Sequence, residues 1–144
     1  MPVYESETSL QNQKRVRDQL VNGMFYGSHV ADMPRFHPLD YYFHNSWIPI
    51  AFVEVKVSPN VFKQYDHYAI DIMKIKGARE FEGLTGVPCH LFIDYSDQMV
   101  GALFRTLTWD KLKLHKREGR DEAQLLAFLP LEQFKNHYPK KDAE

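Results

Sequence analysis

The sequence lacks the residues and segments that mark secreted and membrane proteins. It contains one cysteine, Cys89, so no internal disulfide can form and nothing indicates an oxidising compartment. No apolar stretch approaches the about 18 residues that a membrane-spanning helix needs, and the polar, acidic N-terminus differs from a signal peptide. We therefore expect a cytoplasmic protein without a membrane segment.

Several catalytic motifs are missing as well. The seven histidines show no spacing that suits a zinc site. His37 and His44 flank a predicted strand, from which they could approach a metal site, but a structural role is favoured for both. No P-loop or GxGxxG sequence is present, so nucleotide hydrolysis has no support. No serine or cysteine nucleophile is indicated, because Cys89 lies in an apolar run and is predicted to pack in the core.

The composition is that of an ordinary globular domain. Apolar residues make up 44% and charged residues 26% of the 144 residues. We predict a single domain over residues 1–144, of which 139–144 form a flexible tail. The net charge of −1 gives no general attraction for a polyanion, so binding of nucleic acid requires a local basic patch.

Hydrophobic periodicity and turn residues predict elements in the order α-β-β-α-β-β-β. They are a helix over 6–24, strands over 39–44 and 47–58 joined by a turn at 45–46, a helix over 65–82, strands over 87–95 and 100–106 that form a hairpin, and a strand over 124–131 followed by a short helix to residue 138. This order predicts an α/β sandwich with a mixed central sheet flanked by helices.

The second predicted strand is apolar on both faces. Its apolar residues occupy even positions up to Phe52 and odd positions from Val53 onward. A run that changes parity is typical of a central strand buried on both sides, with a bulge near these two residues. Glu54 and Lys56 are two residues apart, so their side chains leave this buried strand on the same side.

Charged residues in a buried strand are costly unless they are paired or bind a metal ion. Asp40 begins the preceding strand and reaches the same end of the sheet as Glu54. Two carboxylates and the main-chain carbonyl of Val55 suit Mg²⁺ better than zinc, and a lysine such as Lys56 polarises water or offsets phosphate charge. The set predicts phosphodiester hydrolysis. The alternative, an ion pair on an exposed edge strand, is disfavoured by the apolar flanking residues.

Pro38-Leu39-Asp40, followed by Phe52-Val53-Glu54-Val55-Lys56, resembles the signature of the PD-(D/E)xK nuclease superfamily. The chain departs from it by having Leu39 between the proline and the aspartate, a variation that is common in that superfamily. The resemblance covers roughly residues 5–107 and is to small phage-type members, which implies a restriction-endonuclease-like fold and an origin in a phage.

The resemblance also implies the roles of individual residues. Asp40 and Glu54 are expected to bind the metal and Lys56 to act in catalysis. An acidic residue on the first helix is expected to complete the site, and we choose Glu7 over Glu5. A carboxylate near a helix N-terminus is also favoured by the helix dipole, so a purely structural role explains this residue equally well.

Together these observations predict Mg²⁺-dependent hydrolysis of DNA phosphodiester bonds, with Mn²⁺ as a substitute for Mg²⁺. The main alternative is a catalytically inactive protein of the same fold that binds nucleic acid or a protein partner. A structure-specific nuclease that acts as a homodimer is a third interpretation. The sequence leaves open the choice between DNA and RNA, between endonuclease and exonuclease action, and among substrate structures.

Two further sets of residues are candidates for contacts with nucleic acid. Gln64, His67 and Lys74 recur at near-helical spacing on the polar face of the second predicted helix, where the resemblance implies a lysine or glutamine near the site. A solvated helix face explains the same pattern. The densest basic segment follows Trp109, and a charged loop is its alternative interpretation. Its candidate residues are Lys113, Lys116 and Arg117.

Overall fold

A computed structural model describes residues 7–25, 27–34, 37, 39–116 and 123–139, with all their side chains except those of 7–10, 12 and 136–139. Within these ranges the chain forms two α-helices and nine strands. They are α1 (Glu7–Asn22), β1 (His29–Asp32), β2 (Tyr41–Asn45), β3 (Ile48–Val57), β4 (His67–Asp71), α2 (Ile72–Thr85), β5 (Cys89–Asp94), β6 (Gln98–Leu103), β7 (Lys111–Lys116), β8 (Ala123–Pro130) and β9 (Lys135–Pro139). Short 3₁₀ turns follow β6 and β8.

A six-stranded sheet with the order β1-β2-β3-β5-β6-β9 forms the centre of the fold. It is mixed, because β3 pairs in parallel with β5 while its other pairs are antiparallel. Helix α1 packs on one face through Val16 and Leu20, which join a buried cluster with Val53 and Val55. Helix α2 and a three-stranded sheet, β4-β8-β7, cover the other face. The predicted α/β sandwich is confirmed.

Strand β3 is the central strand that the sequence predicts. Every residue from Ala51 to Val55 is buried, including Glu54 at 2% exposure. The register shift between Phe43 and His44 leaves Ile50 of β3 unpaired, so β3 does contain a bulge, two residues before the predicted position near Phe52 and Val53. Packed layers cover both faces of β3, so the consecutive residues Ala51–Val55 are all buried. The turn lies at 46–47, one residue later than predicted.

The predicted helix over 65–82 is wrong in its first part. Residues His67–Asp71 form β4, which pairs with β8, and α2 begins only at Ile72. The boundary has a local cause, since the side chain of Asp71 accepts a hydrogen bond from the main-chain N–H of Met73 at 2.9 Å. Helix α2 ends at Gly86, whose φ of 72° is the left-handed conformation that glycine adopts readily.

Three other segments differ from the prediction because each of them forms an edge strand of a sheet. The predicted terminal helix over 131–138 is a 3₁₀ turn followed by β9, which pairs with β6. The basic segment forms β7, and β1 lies in a region predicted to be a loop. Each of these strands pairs with the edge of a sheet that other segments form, and its own sequence does not indicate where that edge lies. Of the predicted tail, Pro139 ends β9 and 140–144 lie outside the described residues.

Cys89 is fully buried, and burial raises the pKa of its thiol to about 12, with Glu82 as the second cause. The prediction of a packing role is therefore confirmed by its surroundings. Neither helix in the described ranges is long and apolar enough to cross a membrane.

Candidate active site

Asp40 and Glu54 meet at the edge between β2 and β3. Tyr41 faces Val53 in this antiparallel pair, which places Asp40 opposite Glu54. The main-chain N–H of Asp40 donates to the carbonyl of Val53 at 2.8 Å, and the N–H of Val55 donates to Oδ2 of Asp40 at 2.7 Å. The backbone of β3 thus fixes the Asp40 carboxylate beside Glu54, as the sequence predicts.

Two lysines approach the Glu54 carboxylate from different elements. Nζ of Lys56, on the same strand, lies 3.5 Å from Oε1, and Nζ of Lys74, on α2, lies 3.6 Å from Oε2. Both lysine side chains are 35% exposed, whereas that of Glu54 is 3% exposed. Oε2 of Glu54 has no hydrogen-bond donor among the residues that the structure describes. The carboxylate is therefore buried with electrostatic partners but incomplete hydrogen bonding.

Burial is the largest cause that raises the pKa of Glu54 to about 7, and the neighbouring charge of Asp40 is the second. The charges of Lys56 and Lys74 act in the opposite direction. The two carboxylates repel each other at this buried edge. A bound cation would lower the electrostatic cost of keeping both of them ionised. The arrangement can bind a cation and present ammonium groups to a phosphate beside it.

The residues at this edge fit a divalent ion that retains several waters. No group of three or more His, Cys, Asp or Glu side chains in the described ranges forms a complete metal site. Mg²⁺ is commonly held by one or two carboxylates and waters, so Asp40 and Glu54 suffice for it, whereas a structural zinc site needs more protein ligands. Oε2 of Glu54, which accepts no hydrogen bond from the described part of the chain, supplies an oxygen ligand of the required type.

The N-terminal half of α1 lies at the same end of the sheet. The guanidinium of Arg15 donates to Oδ2 of buried Asp94 at 2.5 Å, and Asp94 faces Val57 in the β3–β5 register. Glu7 is the first residue of this helix, two turns before Arg15, and its side chain lies outside the described set. Helix α1 packs against Val53 and Val55, so it lies on the face of β3 opposite to the one that carries Glu54 and Lys56.

The structure separates the other candidates for contacts with nucleic acid. Gln64 lies in the loop before β4, where its side chain accepts from the N–H of Val61 at 3.4 Å. His67 lies on β4, with Nε2 2.8 Å from Oδ2 of Asp110. Because this segment is not helical, the helix face on which both predictions rested does not exist, and only Lys74 joins the site.

The remaining candidates belong to the basic segment. Lys113 and Lys116 are exposed on β7 of the small sheet. Arg117 lies outside the described residues, as does Glu5.

Tyr68 and His37 also lie near the site; the sequence interpretation did not place Tyr68 there, and it held the approach of His37 to the site as the less favoured alternative. Burial first, then Tyr95 and Glu54, raise the pKa of Tyr68 above its ordinary value, so its ring is within electrostatic range of the carboxylate. Burial lowers the pKa of His37, and Lys74 adds to this, while the N–H of Leu39 donates to His37 Nδ1 at 3.1 Å. Tyr68 and Ile70 are two residues apart and both pack toward the core. This spacing of apolar residues is the sequence signal that indicates a strand here.

Comparison with known proteins assigns this arrangement to a family. The family described as "Phage putative PDDEXK endonuclease" matches residues 1–136. The chain belongs to this PD-(D/E)xK family. The resemblance found in the sequence is therefore confirmed, over a longer part of the chain than the signature alone covers. No curated protein matches the sequence.

The chain is also similar to solved structures. The Holliday junction resolvase of the archaeal hyperthermophile Archaeoglobus fulgidus is 12% identical, with a TM-score of 0.53 over 81% of this chain and 84% of that chain. A nuclease from a fusselovirus is 14% identical, with a TM-score of 0.49 over 94% of this chain and 90% of that chain. The resolvase likeness shows the restriction-endonuclease-like fold of this PD-(D/E)xK family member.

Proposed function

We propose that this PD-(D/E)xK protein is an endonuclease that hydrolyses phosphodiester bonds in DNA. The reaction uses Mg²⁺ bound at the Asp40–Glu54 edge, and Mn²⁺ can substitute for Mg²⁺. The observation that carries the proposal is the Glu54 side chain, which is 3% exposed and whose carboxylate lies beside a second carboxylate and two lysines. The family description supports endonuclease activity, and the likeness to a Holliday junction resolvase supports DNA as the substrate.

Asp40 and Glu54 would hold the ion through their carboxylates, with the carbonyl of Val55 and waters as further ligands. Glu7 would complete the site from α1. When bound, Mg²⁺ lowers the pKa of a coordinated water and offsets negative charge on the phosphate. The hydrogen bond from the N–H of Val55 holds Oδ2 of Asp40 at this edge, so the carboxylate is oriented before any ligand arrives.

The two lysines have complementary positions. Lys56 leaves β3 on the same side as Glu54, so its ammonium group is placed to orient the attacking water and to stabilise charge that develops on the phosphate. Lys74 approaches from α2, so a phosphate at this edge meets a cation from each side.

The alternative, a catalytically inactive protein that binds nucleic acid or a partner protein, has less support because Asp40, Glu54 and Lys56 are all present and adjacent. Lys113 and Lys116 are proposed as contacts with DNA outside the catalytic edge. The homodimer, the cytoplasmic location and the single-domain organisation over 1–144 stay predictions.

Cleavage of supercoiled, linear, single-stranded and branched DNA tests the proposal, with Mg²⁺, Mn²⁺ or EDTA present. We expect the parent to cut DNA only with a divalent ion and K56A to cut at least about 10²-fold more slowly. The matched control is K135A, which removes an exposed lysine at the far edge of the large sheet. If K56A retains the circular dichroism spectrum of the parent and also its cleavage rate, the proposed function is wrong.

A further inference from the structure

The β7–β8 pair continues beyond the third strand of the small sheet. β4 pairs with β8 only from Leu126 to Pro130, whereas β7 pairs with it as far as Ala123. Residues 114–116 and 123–125 therefore extend the sheet as two strands, with no third strand beside them in the part of the chain that is described. We call the whole β7–β8 pair the ribbon, and its two-stranded end has little packing of its own to stabilise it.

One face of this ribbon carries exposed leucines. Leu112 and Leu114 are 46% and 68% exposed, and Leu125, which faces Leu114 across the pair, is 39% exposed. They continue the face on which Ala127 and Leu129 are buried in the core. An apolar face that extends out of the core and stays uncovered is typical of a binding surface.

The charge of the ribbon identifies the kind of partner. On β7, Lys116 lies on the face of the leucines, whereas Lys111 and Lys113 lie on the opposite face. Neither β7 nor β8 contains an acidic residue, in a protein with a net charge of −1. All residues of β7 are exposed. Lysines along a free edge oppose pairing with the same edge of a second copy, because like charges would face each other. The same lysines attract a polyanion, so charge complementarity favours nucleic acid.

The ribbon begins close to the catalytic edge. Lys113 faces Leu126 across β7–β8, and Leu126 faces Asp71 across β8–β4, so Lys113 lies about 10 Å from Asp71. Lys74, which contacts Glu54, follows Asp71 by about one helical turn. The ribbon thus lies on the order of 15 Å from the catalytic lysines, or about half a turn of duplex DNA.

We propose that the β7–β8 ribbon binds duplex DNA that flanks the cleaved bond, with its lysines against phosphates and Leu112 and Leu114 against base and sugar surfaces in a groove. The proposal rests on the proposed function, since it takes DNA as the substrate. A two-stranded β-ribbon fits a groove of duplex DNA, and leucine is among the side chains that contact bases there. Single strands offer no groove, so the substrate class is DNA with a duplex flank.

Anisotropy measurements in the K56A background test this inference, with a short duplex and its single strand as probes over a range of salt concentrations. We expect L112S/L114S to weaken binding of the duplex about tenfold, and that of the single strand less than about twofold. K113A/K116A should reduce the slope of log affinity against log salt for the duplex by about 2, because each lost phosphate contact removes about 0.9. K135A should behave as the parent.

Thermal unfolding shows whether the leucine variant folds, and L114S alone, at the most exposed of the three positions, replaces it if the double variant is unstable. The inference is overturned if the ribbon variants bind the duplex as tightly as K135A does. An equal loss on duplex and single strand also overturns it, as does a conversion of dimer to monomer without any change in DNA binding. Cleavage by the active parent, measured in parallel, separates these results from a failure of the proposed function.

Discussion

Nζ of Lys74 on α2 lies 3.6 Å from Oε2 of Glu54 on β3, and this contact joins the helix that follows the small sheet to the central strand. The position of the Lys74 ammonium group at the candidate site therefore depends on the residue at which α2 begins. Asp71 and the pairing of β4 with β8 determine that point. The small sheet therefore contributes to the site, although none of its strands carries the nuclease signature.

We predict that K74A lowers the single-turnover cleavage rate about tenfold while Mg²⁺ still stabilises the protein, because the lysine supplies charge to the phosphate and is not a metal ligand. K76A is the matched control, since Lys76 lies on the same helix, is exposed and pairs with Glu80. Cleavage by K74A at the rate of K76A would show that the contact with Glu54 has only a structural role.

Metal titration separates the nuclease from an inactive binding protein. We predict that Mg²⁺ and Mn²⁺ raise the midpoint of thermal unfolding of the parent, with a stabilisation of about 2.7 kcal/mol at about 100 times the dissociation constant. D40N and E54Q should lose this shift because each lacks one carboxylate ligand. D18N, which alters an exposed aspartate on α1, should keep it. A parent protein that shows no shift with either ion would favour the inactive alternative.

The pKa of Glu54 predicts how the stability of the metal-free protein depends on pH. The folded-state pKa of about 7 exceeds the ordinary value of 4.5, so the folded state binds more protons than the unfolded state between these values. The free energy of unfolding should therefore fall as pH rises from about 4.5 to about 7, by on the order of 3 kcal/mol, and then level off.

Urea unfolding in EDTA between about pH 5 and pH 8 measures this dependence. E54Q should show a smaller slope in this window and should be more stable than the parent at the upper end, because it buries no charge. Equal slopes for E54Q and the parent would contradict the assignment of the raised pKa to this carboxylate.

Asp71 tests the boundary between β4 and α2. We predict that D71A lowers the free energy of unfolding by about 1 kcal/mol, because the side chain accepts the hydrogen bond from the N–H of Met73. If residues 65–71 were helical, alanine would instead stabilise the protein slightly, since it is the better helix former. E80A, at an exposed position of α2, is the control and should change stability by less than about 0.5 kcal/mol.

Local sequence patterns predicted α1, most of α2, the central strand β3 and the candidate residues Asp40, Glu54 and Lys56. β3 could be predicted because an apolar run interrupted by Glu54 and Lys56 requires burial on both faces and a partner for the charges. Asp40 followed because a short hairpin leaves few positions opposite Glu54. These features depend on residues that are close in the chain, where periodicity and turn residues are informative.

Only the tertiary structure decided the segments that pair with distant partners. His67–Asp71 became a strand because β8 offered an edge, and β9 formed because β6 offered another. That pairing brings Tyr68 near Glu54 and begins α2 at the place from which Lys74 reaches the carboxylate. Pairing across dozens of residues depends on backbone hydrogen bonds and burial in the assembled fold, and a short segment shows neither before its partner is known.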